Sequence, residues 1–81
     1  MKVQVMFFAS AREVAGVSNV ELQLDEGTDT QILLRTLVSQ YPTLNEILPT
    51  IVIALNEEYL EGTSSLKDGD CVALIPPISG G

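Results

Sequence analysis

The chain has 81 residues, 46% of them apolar, and a net charge of −7 from 4 basic and 11 acidic side chains. It is long enough for one domain, which buries only about 60% of its unfolded surface, and with few aromatics its core must be mainly Val, Ile and Leu. The acidity disfavours nucleic acid and anionic membrane, whose phosphates call for Lys and Arg, and favours a basic partner surface; the other reading of the same charge is solubility alone. One cysteine and no histidine exclude an internal disulfide, a Cys/His zinc site, a Cys-ligated iron–sulfur cluster and histidine general-base chemistry.

The N-terminal "KVQVMFF" alternates with period two. Val3, Val5 and Phe7 fall on one face and Lys2, Gln4, Met6 and Phe8 on the other. The first set is the expected core; the second begins polar and ends apolar. The segment is too short and too alternating for a signal peptide, and no stretch is long enough to span a bilayer. A reducing compartment, the cytoplasm, is the expected location.

"ASAREVAG" reads as a brief helical turn or loop closed by Gly16. "SNVELQL" is a second strand with Val20, Leu22 and Leu24 on one face, and the short spacing predicts an antiparallel hairpin with the first. "DEGTDT" then turns into a helix capped by Thr28 or Asp29, whose carboxylate also complements the helix dipole. Leu33, Leu34, Leu37, Val38 and Tyr41 form its apolar stripe, a core face, and Pro42 ends it.

"PTLNEILP" is a connection anchored by Leu44, Ile47 and Leu48. "TIVIALN" is a β-branched run suited to a strand well covered by other structure. "NEEYLEG" turns into a short strand around Tyr59 and Leu60, "TSSLKDGD" is a turn-rich loop, and "CVALIPP" is the last strand. Cys71 lies in that apolar run and reads as a small hydrophobe rather than a nucleophile. The predicted order β-β-α-β-β-β describes a two-layer α+β domain, a mixed sheet of four to five strands under one main helix. Its first and last strands, the most apolar, are expected side by side at the centre.

Residues 1–76 are the expected domain and 77–81 the expected flexible tail. Pro76 and Pro77 lack backbone donors and favour extended chain, so the tail is directed outward, with a reach of roughly 16 Å at about 3.3 Å per residue. Ile78 offers an apolar anchor, and Gly80 and Gly81 have the smallest cross-section a peptide allows. Such a tail can thread a narrow channel and deliver an ionised carboxylate to a buried site, where it can attack a nucleotide phosphate. A frayed end is the competing reading.

Together "VMFFASAREVAG", "LLRTLVSQYPTL", "ALNEEYL" and above all "LKDGDCVALIPPISGG" resemble the small-subunit family of molybdopterin synthases, ubiquitin-like β-grasp sulfur carriers, over the whole chain. Cys71 departs from the family, which often has an acidic or polar residue there, and adds an oxidisable thiol. The resemblance implies that Gly81 is adenylated by an E1-like adenylyltransferase using ATP and Mg²⁺, neither of them bound by this chain. A sulfur donor protein then converts it to a thiocarboxylate. With Pro77, Ile78, Ser79 and Gly80, it enters the large subunit, which supplies the catalytic side chains and receives the sulfur for cyclic pyranopterin monophosphate. A heterotetramer with two large subunits is implied, with no metal held here.

If Val72 and Leu74 pack under the helix, then Met6, Phe8, Ala73 and Ile75 make an apolar patch on the open sheet face, with Arg12 as a polar rim. This patch is the expected docking site for the large subunit and the activating enzyme in turn, unless a loop covers it. Three alternatives stay open: a protein modifier forming isopeptide bonds, a carrier for thiazole or amino-acid synthesis, and a binding module with an inert tail.

Overall fold

The structure, a computed structural model, describes residues 1–77. Its five-stranded mixed sheet has the order β2-β1-β5-β3-β4, with β1 at Lys2–Phe7, β2 at Asn19–Gln23, β3 at Val52–Leu55, β4 at Glu58–Tyr59 and β5 at Cys71–Ile75. Helix α1 (Ala9–Ala15) lies in the β1–β2 connection and the main helix α2 (Thr30–Gln40) covers one face. The strands at the two ends of the described chain are neighbours at the centre, and they run parallel.

Alternation in β1 and β5 divides the sheet as the sequence predicts. Val3, Val5 and Phe7 of β1 and Val72 and Leu74 of β5 are buried beside Leu33 and Leu37 of α2. Each fully buried Val, Leu or Phe contributes about 1.5–3 kcal/mol relative to an exposed one. Val20 and Leu22 of β2 lie opposite Val5 and Val3 in the register, which brings them to the same face. Phe7 meets Tyr41 edge-to-face at 5.7 Å and 72°, a geometry the ring quadrupoles favour.

Helix α2 starts where expected. Asp29 is the cap: its side chain accepts from the Ile32 amide at 2.8 Å. Thr28 is buried instead, its hydroxyl donating to the Asp25 carbonyl at 2.7 Å. Buried Thr30 accepts from the Ser64 amide at 3.1 Å and donates its own amide to the Ser64 carbonyl at 2.9 Å. The loop of residues 60–70 is therefore tied to the start of α2, which buries Leu66.

Three segments differ from the sequence reading in detail. "ASAREVA" is a full helix of 7 residues, because Gly16 adopts the left-handed C-cap at φ 78° and donates to the Arg12 carbonyl at 2.8 Å. "PTLNE" and "LPT" form two 3₁₀ helices, of which Leu44 is fully buried. The run "TIVIALN" is not covered throughout. Ile53 and Leu55 register with Leu74 and Val72 on the helix side, but Val52 is on the open face and 41% exposed.

The "KDGD" stretch is a structural clamp. The Lys2 amide donates to Asp68 at 2.6 Å, the Lys67 amide to Asp70 at 2.7 Å, and Asn56 Nδ2 to Asp70 at 2.9 Å. Asn56 Oδ1 in turn accepts from the Cys71 amide at 2.9 Å. These bonds fasten the starts of β1 and β5 to the end of β3.

Truncating Leu37 to Ala is expected to cost about 2–5 kcal/mol through the cavity it leaves, whereas Asp29→Ala, which removes only the cap, should cost about 1 kcal/mol. Urea denaturation of the two variants checks the ranking.

Candidate functional site

The face of the sheet away from α2 is divided by chemistry. Toward the β2 side it carries Lys2, Gln4, Asn19 and Glu21, with Gln4 Nε2 donating to Asn19 at 3.1 Å. Toward the end where β5 finishes it is apolar. Met6 and Ala73 are opposite each other in the parallel register, and Ala73 is opposite Ala54 on β3, which is opposite Tyr59 on β4. Strand alternation brings all four to one side.

These residues line an open hollow of about 330 Å³ with Phe8, Cys71, Ile75 and Glu57. Phe8 is 42% exposed, Met6, Ala73 and Ile75 are half-buried, and the lining comes from the strands themselves and the β3–β4 turn. Cys71 is half-buried in this lining, so its thiol belongs to the open face and not to the core.

Phe8 is positioned by backbone. It continues β1 in extended conformation, its amide donating to the Leu74 carbonyl at 3.2 Å. Ala9 then takes a positive φ of 49° and α1 begins. The chain therefore turns sharply beside the end of β5.

β5 pairs with β3 as far as Val52 and Ile75, and then Pro76 and Pro77 follow with no amide to offer. Pro76 is buried and Pro77 exposed. On one side of the two prolines lie Phe8, Ala9, Ser10 and Glu13 at the start of α1. On the other lie Val52 and Tyr59. The outgoing chain thus leaves from the rim of the apolar face, between α1 and the β3–β4 hairpin.

Met6, Phe8, Ala73, Ile75 and Pro77 are accordingly brought together. Arg12 is exposed on α1 rather than in a loop, and it does not line the exit, where Glu13 stands instead. Ile78, Ser79, Gly80 and Gly81 lie outside the described residues. Val52, Ala54, Glu57 and Tyr59 were not anticipated. Tyr59 is 76% exposed, and its apolar context comes from pairing with Ala54 and from Val52, Ile75 and the two prolines beside it, which the sequence does not display.

Among the described residues no three His, Cys, Asp or Glu side chains are grouped to hold a metal ion, and no helix is long and apolar enough to cross a membrane. Chemically, the arrangement offers a binding surface beside a directed peptide end.

Comparison with known proteins bears on what such a surface serves. The profile of the ThiS family matches residues 5–81. A Chlamydomonas reinhardtii protein named molybdopterin synthase sulfur carrier subunit is 45% identical, with all of both chains covered. Among solved structures, SAMP1 from Haloferax volcanii superposes with a TM-score of 0.89 at 28% identity, again covering both chains fully. The complex of subunits 1 and 2 of the molybdopterin-converting factor from Helicobacter pylori contains a chain matching at TM-score 0.72 and 30% identity, with both chains fully covered. The mixed β-grasp sheet, its single main helix and the full-length similarity agree: the chain belongs to the ThiS family, among the sulfur carrier subunits of molybdopterin synthase.

Proposed function

We propose that this chain is the sulfur-carrying small subunit of molybdopterin synthase, with the carboxylate of Gly81 as the carrier group. The observation that carries the reading is the end-to-end match to a relative of that name at 45% identity, joined to an apolar face from whose rim the chain leaves.

In the first step a Gly81 carboxylate oxygen attacks the α-phosphorus of ATP, and pyrophosphate leaves. The E1-like adenylyltransferase supplies the ATP and Mg²⁺. A cysteine persulfide of the donor protein then adds to the acyl carbon and expels AMP, and a second thiol of the donor attacks the donor-side sulfur of the resulting acyl disulfide, forming a disulfide and releasing the thiocarboxylate. On the large subunit the sulfur passes to cyclic pyranopterin monophosphate and the carboxylate is restored. Two such transfers build the dithiolene of molybdopterin. Two small and two large subunits would make the working enzyme, in the cytoplasm.

This chain's own contribution is delivery. Gly80 and Gly81 have no side chains to obstruct a narrow channel, and Pro76 and Pro77 limit the conformations lost on insertion. Ile78 offers an apolar anchor ahead of Ser79 and the glycines. Met6, Phe8, Ala73 and Ile75, joined by Tyr59 and Val52, are the docking surface, used by the large subunit and the activating enzyme alternately. The structure of subunits 1 and 2 from Helicobacter pylori together supports the first partner.

Incubation with the activating enzyme, ATP and a sulfur source should raise the intact mass by the difference between one sulfur and one oxygen, and removal of Gly81 should abolish the gain without changing thermal stability. No gain with a competent enzyme would leave a binding module. Lysine conjugates on cell proteins would point to a modifier, and failure to rescue a molybdoenzyme-deficient strain to another sulfur pathway. Phe8→Asp should weaken large-subunit binding by about 2 kcal/mol or more, as for an aromatic at an interface centre, with folding unchanged by circular dichroism; unchanged affinity would remove the sheet face from the interface.

A further inference from the structure

We infer that Asn56 is a positioning residue of the docking face: its side-chain amide pins the β3–β4 turn to the start of β5, and the pin sets where Tyr59 is presented to the large subunit. The inference deepens the sulfur-carrier reading and rests on it, since that reading makes the large subunit the occupant.

Tyr59 needs such a support. Among the described residues it is the most exposed large hydrophobic side chain, at 76%, so packing does little to place it. Its strand, β4, is two residues long, lies at the sheet edge and pairs with β3 alone. The pairing amounts to Ala54 with Tyr59 and Leu55 with Glu58, followed by the Leu60 amide donating to the Ile53 carbonyl at 2.9 Å. A two-stranded hairpin of this length is marginal by itself. From the turn, β4 carries Tyr59 back along β3 to Val52, Ile75 and the two prolines. A shift of the turn therefore carries the ring with it.

The turn consists of Asn56 and Glu57, both at positive φ, 51° and 71°, as a two-residue hairpin loop of this class requires. Before it turns, β3 makes one more rung with β5 beyond Leu55 and Val72: the Asn56 amide donates to the Cys71 carbonyl at 2.8 Å. An extended residue would answer with its own carbonyl. Asn56 has already turned, and its Oδ1 answers instead, accepting from the Cys71 amide at 2.9 Å. Its Nδ2 donates to Asp70 Oδ1 at 2.9 Å, while Asp70 Oδ2 accepts from the Lys67 amide at 2.7 Å and the Asp70 carbonyl accepts from the Gln4 amide at 2.9 Å. One side chain thus joins the turn to β5 and, through Asp70, to β1. Both of its bonds are exposed to solvent, so water can replace them and their contribution to folding is modest. Asn56 lines neither the hollow nor the grooves beside the prolines. Its effect on binding must pass through what it holds.

The test is a double-mutant cycle on the affinity of the full chain for the large subunit from the same organism, by calorimetry, well below the thermal midpoint of every variant. Asn56→Gly keeps the turn, because glycine takes positive φ freely, and removes both side-chain bonds. It should bind about fivefold more weakly, the cost of ordering the hairpin on docking. In a Tyr59→Ala background the same substitution should cost less than about twofold. Asn56→Asp alone loses the donor and faces the Asp70 carboxylate, and it should weaken binding to a similar extent. Combined with Asp70→Asn it exchanges donor and acceptor across the pair at unchanged net charge, and affinity should return to within about twofold of the parent. The inference is overturned if Asn56→Gly leaves affinity unchanged, if it costs as much with Tyr59→Ala as without it, or if the exchanged pair, folded, binds as weakly as Asn56→Asp. Tyr59→Ala and Phe8→Asp separate the levels. If Tyr59→Ala weakens binding and Asn56→Gly does not, the pin alone is wrong. If Tyr59→Ala is neutral while Phe8→Asp weakens binding, the docking face stands without Tyr59 and the inference falls. If both are neutral, the docking face itself is wrong.

Discussion

Parallel pairing of β1 and β5 at the centre of the sheet is the interaction on which the rest depends. Because the two strands run in one direction, their C-terminal ends lie together. Phe8 and α1 begin where Pro76 and Pro77 end the last strand. The same pairing puts Val5 beside Val72 and Phe7 beside Leu74 under α2, and Met6 beside Ala73 on the opposite side. One register therefore builds half the core and half the binding face.

Parallel neighbours require a long connection, and everything between β1 and β5 serves as one. The hairpin with β2, the helix α2 and the β3–β4 hairpin all precede the last strand in the chain. The "KDGD" clamp, with Asn56, secures that strand at its start. At its finish the prolines remove the donors that further pairing with β3 would need.

This division suits a subunit that carries a reactive group without transforming it. A carrier must hold its docking surface rigid while its reacting atom travels to another protein's active site. The rigid part is supported by a core of Val and Leu with one Phe and one Ala. The reacting atom needs only a backbone terminus.

The sequence alone determined the layers, the helix stripe, a helix cap at Thr28 or Asp29 and the two faces of β1 and β5. These rest on local periodicity and on side chains acting within a turn of their own position. The Gly-Gly end and the double proline were legible for the same reason, and they carried the family resemblance. Only the tertiary structure decided which strand edges meet. That is why Tyr59 and Val52 were missed and why "TIVIALN" was read as covered: each lies on the open face through pairing with Ala54 or Ile75, far away in sequence or across a turn. The place of Glu13 at the exit likewise follows from how α1 packs beside the end of β5. A strand's pattern states which side chains share a face; only its neighbours decide what that face is next to and how much of it remains open.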